Sequence, residues 1–326
     1  MSVRSELLRI LEEHKGETVS GELVAEKLKC TRAAVWKAVT TLRKEGYIIE
    51  AGQNRGYRLV PESSLLSKEA VSLYLEKAGI QNPQVYVFDE TGSTNQEARR
   101  LVLSGEADHG TVVIARKQTA GRGRRGRSFY SPDGGIYLSV VLKPRDDINK
   151  SLMITTSAAT AVYKAVKEVC GIDLDIKWVN DLYKEGKKVC GILAEADTDF
   201  ETGEIRSAIV GIGINVYTDT SKIPEELKDI VGVLYEDRNA GERTDLSRLA
   251  AAVTAHLIEE TRVLSISDVY IERNMIPGKQ ISITDGEQVR YAQALRICED
   301  GRLLVREEDG TENRLSYGEV SVRIKA

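Results

Sequence analysis

The sequence predicts an α+β chain of several domains, and three observations carry that prediction. The first stretch, up to about residue 60, reads as three short amphipathic helices followed by a strand, a turn and a return strand. The middle mixes strands and helices without a regular βαβ beat. The end switches to short strands separated by Asp285-Gly286, Asp300-Gly301 and Asp309-Gly310, each a strong hairpin signal. At 326 residues the chain is long enough for two or three cores.

In order along the chain, Leu7, Leu8, Ile10 and Leu11 give the first helix an apolar face. Ser20 is placed to N-cap the second helix (Leu23, Val24, Leu28) and Thr31 the third. In the third, Val35, Val39 and Leu42 follow i, i+4, i+7 spacing, and Gly46 ends it. Ala33, Lys37, Thr40 and Lys44 lie opposite that stripe, with Arg32 and Trp36 on its flanks. Tyr47 to Ile49 reads as a strand, Gln53 to Gly56 as a turn, and Tyr57 to Leu59 as the return strand. From Thr31 to Arg58 there are six Lys/Arg against two acids, although the whole chain carries a net charge of -4. Three helices followed by a basic β-turn make a winged helix-turn-helix, expected over 1–62. Its third helix would enter the major groove of operator DNA with Arg32, Ala33, Lys37, Thr40 and Lys44. The wing would carry Arg55 and Arg58 to the phosphate backbone.

Pro61 to Ser64 reads as a linker. Ser67 caps a helix (Val71, Tyr74, Leu75, Ala78) that opens a central domain expected over 66–275. Strands are expected at Val85 to Phe88, Thr111 to Ala115, Ile136 to Val141, Leu174 to Val179, Lys188 to Ala196 and Ile205 to Val216. Helices are expected to start near Asn95 and to span about Leu152 to Val169 and Leu246 to Leu264. The prediction for the centre is a mixed, mainly antiparallel sheet with helices, and for 276–326 a small β-barrel of five or six strands.

Several classes are excluded. The four cysteines (Cys30, Cys170, Cys190, Cys298) are far apart and form no C-x-x-C, and the three histidines are scattered. That argues against disulfides and a protein metal site, and fits a cytoplasmic protein. The N-terminus is amphipathic and carries acids, unlike a signal peptide. The longest apolar stretch, between Lys150 and Lys164, falls short of the roughly 18 residues a membrane span needs.

The run from Gly121 to Arg127, G-R-G-R-R-G-R, sits between two predicted core strands. Glycine lets backbone approach a ligand closely, and arginine makes forked bonds to carboxylate or phosphate. Repelling charges on a glycine-rich segment favour a mobile flap that closes over an anion. Three more clusters accompany it: Ser93-Thr94-Asn95, Lys177-Trp178-Val179-Asn180-Asp181 followed by Lys188, and Gly211-Ile212-Gly213-Ile214-Asn215.

Together, with a winged helix in front and a small barrel behind, these runs resemble the biotin protein ligases of the bifunctional bacterial type, over essentially the whole chain. The resemblance implies a class II synthetase/lipoate-ligase-like centre and an SH3-like C-terminal barrel. It implies a two-step reaction. Biotin's carboxylate attacks the α-phosphate of ATP, carried with Mg²⁺, to give biotinyl-5′-AMP. A lysine of a biotin carboxyl carrier protein then displaces AMP. It also implies biotin-responsive repression and a homodimer when the adenylate is bound. Two other readings share parts of this pattern: a ligand-sensing transcription factor without turnover, and a lipoate-type ligase.

Carried over residue by residue, the resemblance makes Lys188, Arg122, Arg124 and Asp181 the catalytic set. Asp181 would orient the incoming amine or hold the metal. Ser93, Thr94, Asn95 and Gln118 would face biotin's ureido ring. Gly121, Arg122, Arg124, Lys188 and Gly191 would run along its rings and carboxylate. Arg124, Arg127, Phe129, Asn180 and Asn215 would take the adenylate, with the backbone of Gly211 to Ile214. Phe129 stands where the family often has a tryptophan over adenine. Ser93 also suits a plain helix cap, Trp178 suits a core better than a ligand, and Gly211 and Gly213 would serve strand packing equally well.

Overall fold

The computed structural model describes the chain apart from residues 1, 53–55, 64, 145, 148–149, 200, 220, 222, 286–287, 317–320 and 325–326. In the N-terminal part, α1 (Val3–Glu13), α2 (Gly21–Lys27) and α3 (Arg32–Lys44) form where the sequence places them. Ser2, Ser20 and Thr31 each accept a hydrogen bond from a first-turn N–H, the group a helix start otherwise leaves bare. Leu7, Leu11, Val35, Val39, Leu42 and Leu59 close the core. The wing holds one strand more than expected. Besides β2 (Ile49–Gly52) and β3 (Gly56–Leu59), β1 (Thr18–Val19) pairs with β3, in the order β1-β3-β2. Two residues are too few to show an alternating pattern. Gly56 is needed at this crossing: its φ is +99°, and a Cβ there would run into the Val19 carbonyl.

The expected linker is a packed joint. Ser63 is buried and accepts a hydrogen bond from Ile48 N. Leu65 packs in the N-terminal core and Leu66 in the central one. Three bases of α1 and the turn after it reach across to acids of the central domain, whose first helix is α4 (Lys68–Lys77). Arg4 pairs with Glu69 at 2.6 Å, Arg9 pairs with Glu76, and Lys15 lies 3.1 Å from Asp245. Glu12 is buried beside this seam, 3.3 Å from Lys15 Nζ. Burial pushes its carboxyl up to about 7, against the pull of Lys15.

The central domain continues with β4 (Val85–Thr91), α5 (Thr94–Leu103), β5 (Val112–Gln118), β6 (Gly135–Leu142), α6 (Ser151–Cys170), β7 (Asp175–Lys177), β8 (Asp181–Lys184), β9 (Lys187–Thr198), β10 (Ile205–Asn215), α7 (Arg238–Glu242), α8 (Leu246–Glu260) and α9 (Asp268–Glu272). The seven strands run in the order β4-β5-β6-β10-β9-β8-β7, with β4 and β5 parallel and every other neighbouring pair antiparallel. Two sequence expectations need correction. The strand predicted over Leu174 to Val179 stops at Lys177, because Trp178 turns away to donate its Nε1–H to Gly301 O at 3.0 Å. Asp181 to Lys184 is a strand in its own right, turned into β9 through Glu185 and Gly186, both at positive φ.

Side chains alternate faces along a strand. On β6 and β10, Ile136, Leu138, Val140, Val210, Ile212 and Ile214 meet the main core under α6 and α8. The opposite face carries Val141 and Ile209, which α5 covers with Ala98 and Leu101. Beyond Ile209 that same face continues as Gly211, under Asn95 in the first turn of α5, and Gly213, under Phe129.

The C-terminal strands β11 (Gln280–Asp285), β12 (Gln288–Ile297), β13 (Leu303–Glu307), β14 (Glu312–Leu315) and β15 (Ser321–Ile324) form an antiparallel sheet in the order β14-β13-β12-β11-β15. Its Ile281, Ile283, Leu303 and Val305 belong to the same apolar cluster as the central sheet, so the two share one core. No helix among the described residues is long and apolar enough to cross a membrane.

Because Glu12 titrates near 7 when folded but near its ordinary value of 4.5 when unfolded, the folded state holds the extra proton between those limits. Its contribution to stability is therefore lost as pH rises through that window. Glu12→Gln should gain on the parent in urea unfolding between about pH 5 and about pH 8. A difference that does not change with pH would contradict this.

Candidate active site

This glycine-bearing face of the sheet borders a cavity of about 600 Å³, a size that suits a small organic ligand. The β9–β10 register sets Gly213 against Gly191 and Gly211 against Leu193. These glycines are required by what lies on them. A Cβ on Gly213 would enter the Phe129 ring, one on Gly191 would lie 2.8 Å from it, and one on Gly211 would strike Asn95 Oδ1. Phe129 is steadied by an edge-to-face contact with Tyr137, with ring centroids 6.4 Å apart.

The arginine loop forms one wall. It folds back on itself as a narrow hairpin: Gly123 N donates to Arg127 O at 2.7 Å, and Phe129 N to Gly121 O at 2.9 Å. Its tip, Arg124–Gly126, turns through Arg125 at φ 57° and Gly126 at φ 71°. Arg122, Arg124, Arg125 and Arg127 all line the cavity. Arg124 Nη1 donates to Asn180 Oδ1 at 3.0 Å, and Asn180 Nδ2 donates to Ile192 O at 2.9 Å. The loop tip is thereby tied to the turn after β7.

Opposite the loop, Lys188 Nζ lies 2.7 Å from Asp181 Oδ1 and 6.0 Å from the centre of the Phe129 ring. Asp181 is the one carboxylate lining the cavity among the described residues, against a wall of arginine and lysine. The electrostatics therefore favour an anionic ligand. No group of three or more potential metal ligands occurs among the described residues.

The far end of the cavity is polar but neutral. Ser93 holds the N-cap position of α5 yet makes no side-chain cap bond, so capping does not occupy its hydroxyl. Gln118 Oε1 accepts from Thr94 N at 2.9 Å, and Gln118 Nε2 donates to Ser131 Oγ at 3.0 Å. Ser131 in turn donates to Phe129 O at 2.9 Å, which links this end to the loop. Asn95 Nδ2 donates to Glu195 Oε2 at 2.8 Å, and Ser139 Oγ lies 2.6 Å from Asn95 Oδ1 and 2.7 Å from Thr94 Oγ1.

The cavity thus collects Ser93, Thr94, Asn95, Gln118, Lys188 and Gly191 together with the arginines, Phe129, Asn180 and Asp181. Two candidates fall outside its lining. Asn215 points the same way as Gly213, but the segment after Ile230 closes over it: Asn215 Nδ2 donates to Gly232 O at 3.1 Å. Gly121 is packed inside the loop, where a Cβ would lie 2.6 Å from Ser131 Oγ. Lys177, Trp178 and Tyr183 also line the cavity, and Lys177 Nζ stands 5.4 Å over the Tyr183 ring. The sequence reading missed Tyr183, Ser131, Ser139 and Glu195. For Ser139 a signal existed: a lone serine inside the otherwise large, hydrophobic run from Ile136 to Leu142.

In the N-terminal domain, Arg32, Ala33, Lys37 and Lys44 are exposed on one side of α3, and Arg32 pairs with Glu22 at 2.5 Å. The Thr40 hydroxyl donates back to Trp36 O at 2.9 Å. Arg58 is used within the fold, donating to Gly16 O at 2.7 Å and Glu50 Oε2 at 3.0 Å. Arg55 lies outside the described residues.

A model of the biotin/lipoate A/B protein ligase family matches residues 87–215, and a helix-turn-helix domain model matches residues 3–58. The bifunctional ligase/repressor BirA of Bacillus subtilis (strain 168) is 35% identical over 324 residues, 95% of either chain. Its Escherichia coli (strain K12) counterpart is 28% identical over 94% of either chain. Among solved structures, the biotin protein ligase from Aquifex aeolicus in complex with biotin and ATP aligns with a TM-score of 0.59 at 29% identity, over 74% of this chain and 99% of that one.

If Gly211 is glycine because Asn95 lies on it, Gly211→Ala must displace that side chain. It should cost about 1–3 kcal/mol in urea unfolding, the usual cost of overpacking. Parent-like stability with Asn95 unmoved in a crystal structure would refute the reason given.

Proposed function

The chain belongs to the biotin/lipoate A/B protein ligase family, among the bifunctional ligase/repressors, and on that premise we propose how its residues divide the work. The protein is a biotin protein ligase. It activates biotin with ATP to biotinyl-5′-AMP and transfers biotin to a lysine of a biotin carboxyl carrier protein. With its helix-turn-helix domain it is also a DNA-binding, biotin-responsive repressor.

The observation that supports the residue assignment is the polarity of the cavity: neutral hydrogen-bonding groups at one end, cations at the other, and a glycine floor between. Biotin has that shape of chemistry, with an uncharged ureido ring and a carboxylate tail. Thr94 and Gln118 take the ring end, and Ser93 stands beside them. Gly191, Gly211 and Gly213 make room for the Phe129 ring and the Asn95 side chain, which cover the sheet in the middle of the cavity. Lys188 and Arg122 meet the carboxylate.

Adenylation brings that carboxylate up to a polyphosphate. Two unit charges about 4 Å apart repel by roughly 4 kcal/mol at an effective dielectric of about 20. Arg124, Arg127 and Lys188 lower this barrier by bringing positive charge to where negative charge gathers. The attacking carboxylate is already an anion, so no residue has to remove its proton. Asp181 holds the Lys188 ammonium in place at 2.7 Å. Magnesium enters with ATP; one carboxylate beside substrate phosphates is a usual holding set for it, and Asp181 fits that role. When bound there, the ion neutralises phosphate charge. Phe129 and Asn180 are assigned to the adenosine side.

The exposed basic side of α3 is assigned to operator DNA. Ordering of the arginine loop by the adenylate would complete a homodimer surface and set two winged helices on two half-sites. The protein's place is the cytoplasm, where four free cysteines are at home.

Incubated with biotin, ATP and a carrier domain, the protein should add one biotinyl group to the carrier, read by intact mass. Lys188→Ala should lower adenylate formation by about 100-fold or more while leaving unfolding unchanged. Near-parent single-turnover rates would end the role given to Lys188. In sedimentation, biotinyl-AMP should shift the protein from monomer to dimer; equal association with and without it would rule out coupling through the loop.

A further inference from the structure

Glu195 lies on β9, on the same face as Gly191 and Leu193, and pairs with Arg99 of α5 at 3.2 Å. It is absent from the cavity lining. Its other oxygen accepts from Asn95 Nδ2 at 2.8 Å. A carboxylate can only accept hydrogen bonds, so it decides which way the Asn95 amide faces. The Asn95 oxygen then points at Ser139 Oγ, 2.6 Å away. That oxygen also only accepts, so Ser139 must spend its single proton there. Ser139 has none left for Thr94 Oγ1 at 2.7 Å, and Thr94 must donate to Ser139 instead. The Thr94 hydroxyl is left with lone pairs only. Beside it, 3.2 Å away, stands Gln118 Oε1, an acceptor already oriented by Thr94 N–H. The cavity therefore presents two adjacent acceptors.

We propose that Glu195 and Ser139 are positioning residues that fix the hydrogen-bond polarity of the ring end of the cavity, so that it takes a ligand offering an N–H there. The inference rests on the biotin reading, since a ureido nitrogen supplies that N–H. A ring with an oxygen or sulfur at the same place would meet two acceptors and no proton. The relay runs Glu195, Asn95, Ser139, Thr94 and ends at the ligand. Asn95 thus acts through its neighbours, with its amide nitrogen and oxygen both already engaged.

The test is steady-state pyrophosphate release by the full-length enzyme with biotin and ATP varied separately, alongside thermal unfolding. Glu195→Ala and Ser139→Ala should raise KM for biotin by about ten-fold or more, the scale of a lost buried hydrogen bond. KM for ATP and kcat should stay within about two-fold. Glu195→Gln, whose side-chain oxygen can still accept from Asn95, should recover most of the biotin KM. The proposal is overturned if Glu195→Ala leaves KM for biotin unchanged. It is equally overturned if kcat and both KM values worsen together, or if Gln is as damaging as Ala. If the parent enzyme itself releases no pyrophosphate with biotin, the biotin reading falls and takes this inference with it. Normal turnover by the parent and by Glu195→Ala would remove this inference alone.

Discussion

The antiparallel register of β9 on β10 is the constraint on which the site depends. It sets Gly191 beside Gly213 on one face of the sheet while the other face stays a continuous aliphatic layer. Packing demands the isoleucines of Gly211-Ile212-Gly213-Ile214; Asn95 and the Phe129 ring, which line the cavity from above, demand the glycines between them. A period of two lets one short strand satisfy both. Phe129 shows how close the fit is, since its ring rests where any larger residue on the floor would stand. The cavity wall is in this sense the reverse side of the core, with α6 and α8 packed behind it.

Charge is then arranged around that floor asymmetrically. Arginines come from a loop that hydrogen-bonds to itself, and Lys188 comes from the start of the interior strand β9, held by Asp181. The loop is tethered at two points, by Arg124 to Asn180 and by the Gln118–Ser131–Phe129 chain. One tether leads to the cationic end of the cavity and the other to its neutral polar end. A ligand at either end would therefore act on the same loop.

Much of this was legible before any coordinates. Helix starts were readable because Ser20, Thr31 and Ser67 supply oxygens that bare N–H groups need, and each makes that bond. The arginine loop and the glycine alternation are local patterns, and both stretches line the cavity. What stayed hidden depends on contacts between distant segments. Asn215 looked like a ligand residue until the segment carrying Gly232 covered it. Arg58 looked like a wing cation, but its guanidinium ties the wing to the turn after α1. Strand β8 is short and strongly polar, so no periodicity marks it. Glu195 sits at the end of an otherwise apolar run, and nothing local distinguishes it from a solvated carboxylate.

Leu65 and Leu66 are neighbours in the chain, yet each is anchored in a different domain. A tether of loose residues would absorb an insertion and leave both ends indifferent to it. Here the two leucines act as a gauge of length. One residue inserted between them would pull a side chain out of one core or twist α4 against its ion pairs with α1. The distance and angle between α3 and the ligand cavity are therefore set at this joint, with the ion pairs from α1 beside it. The spacing of two such helices on DNA would follow from the same dimension.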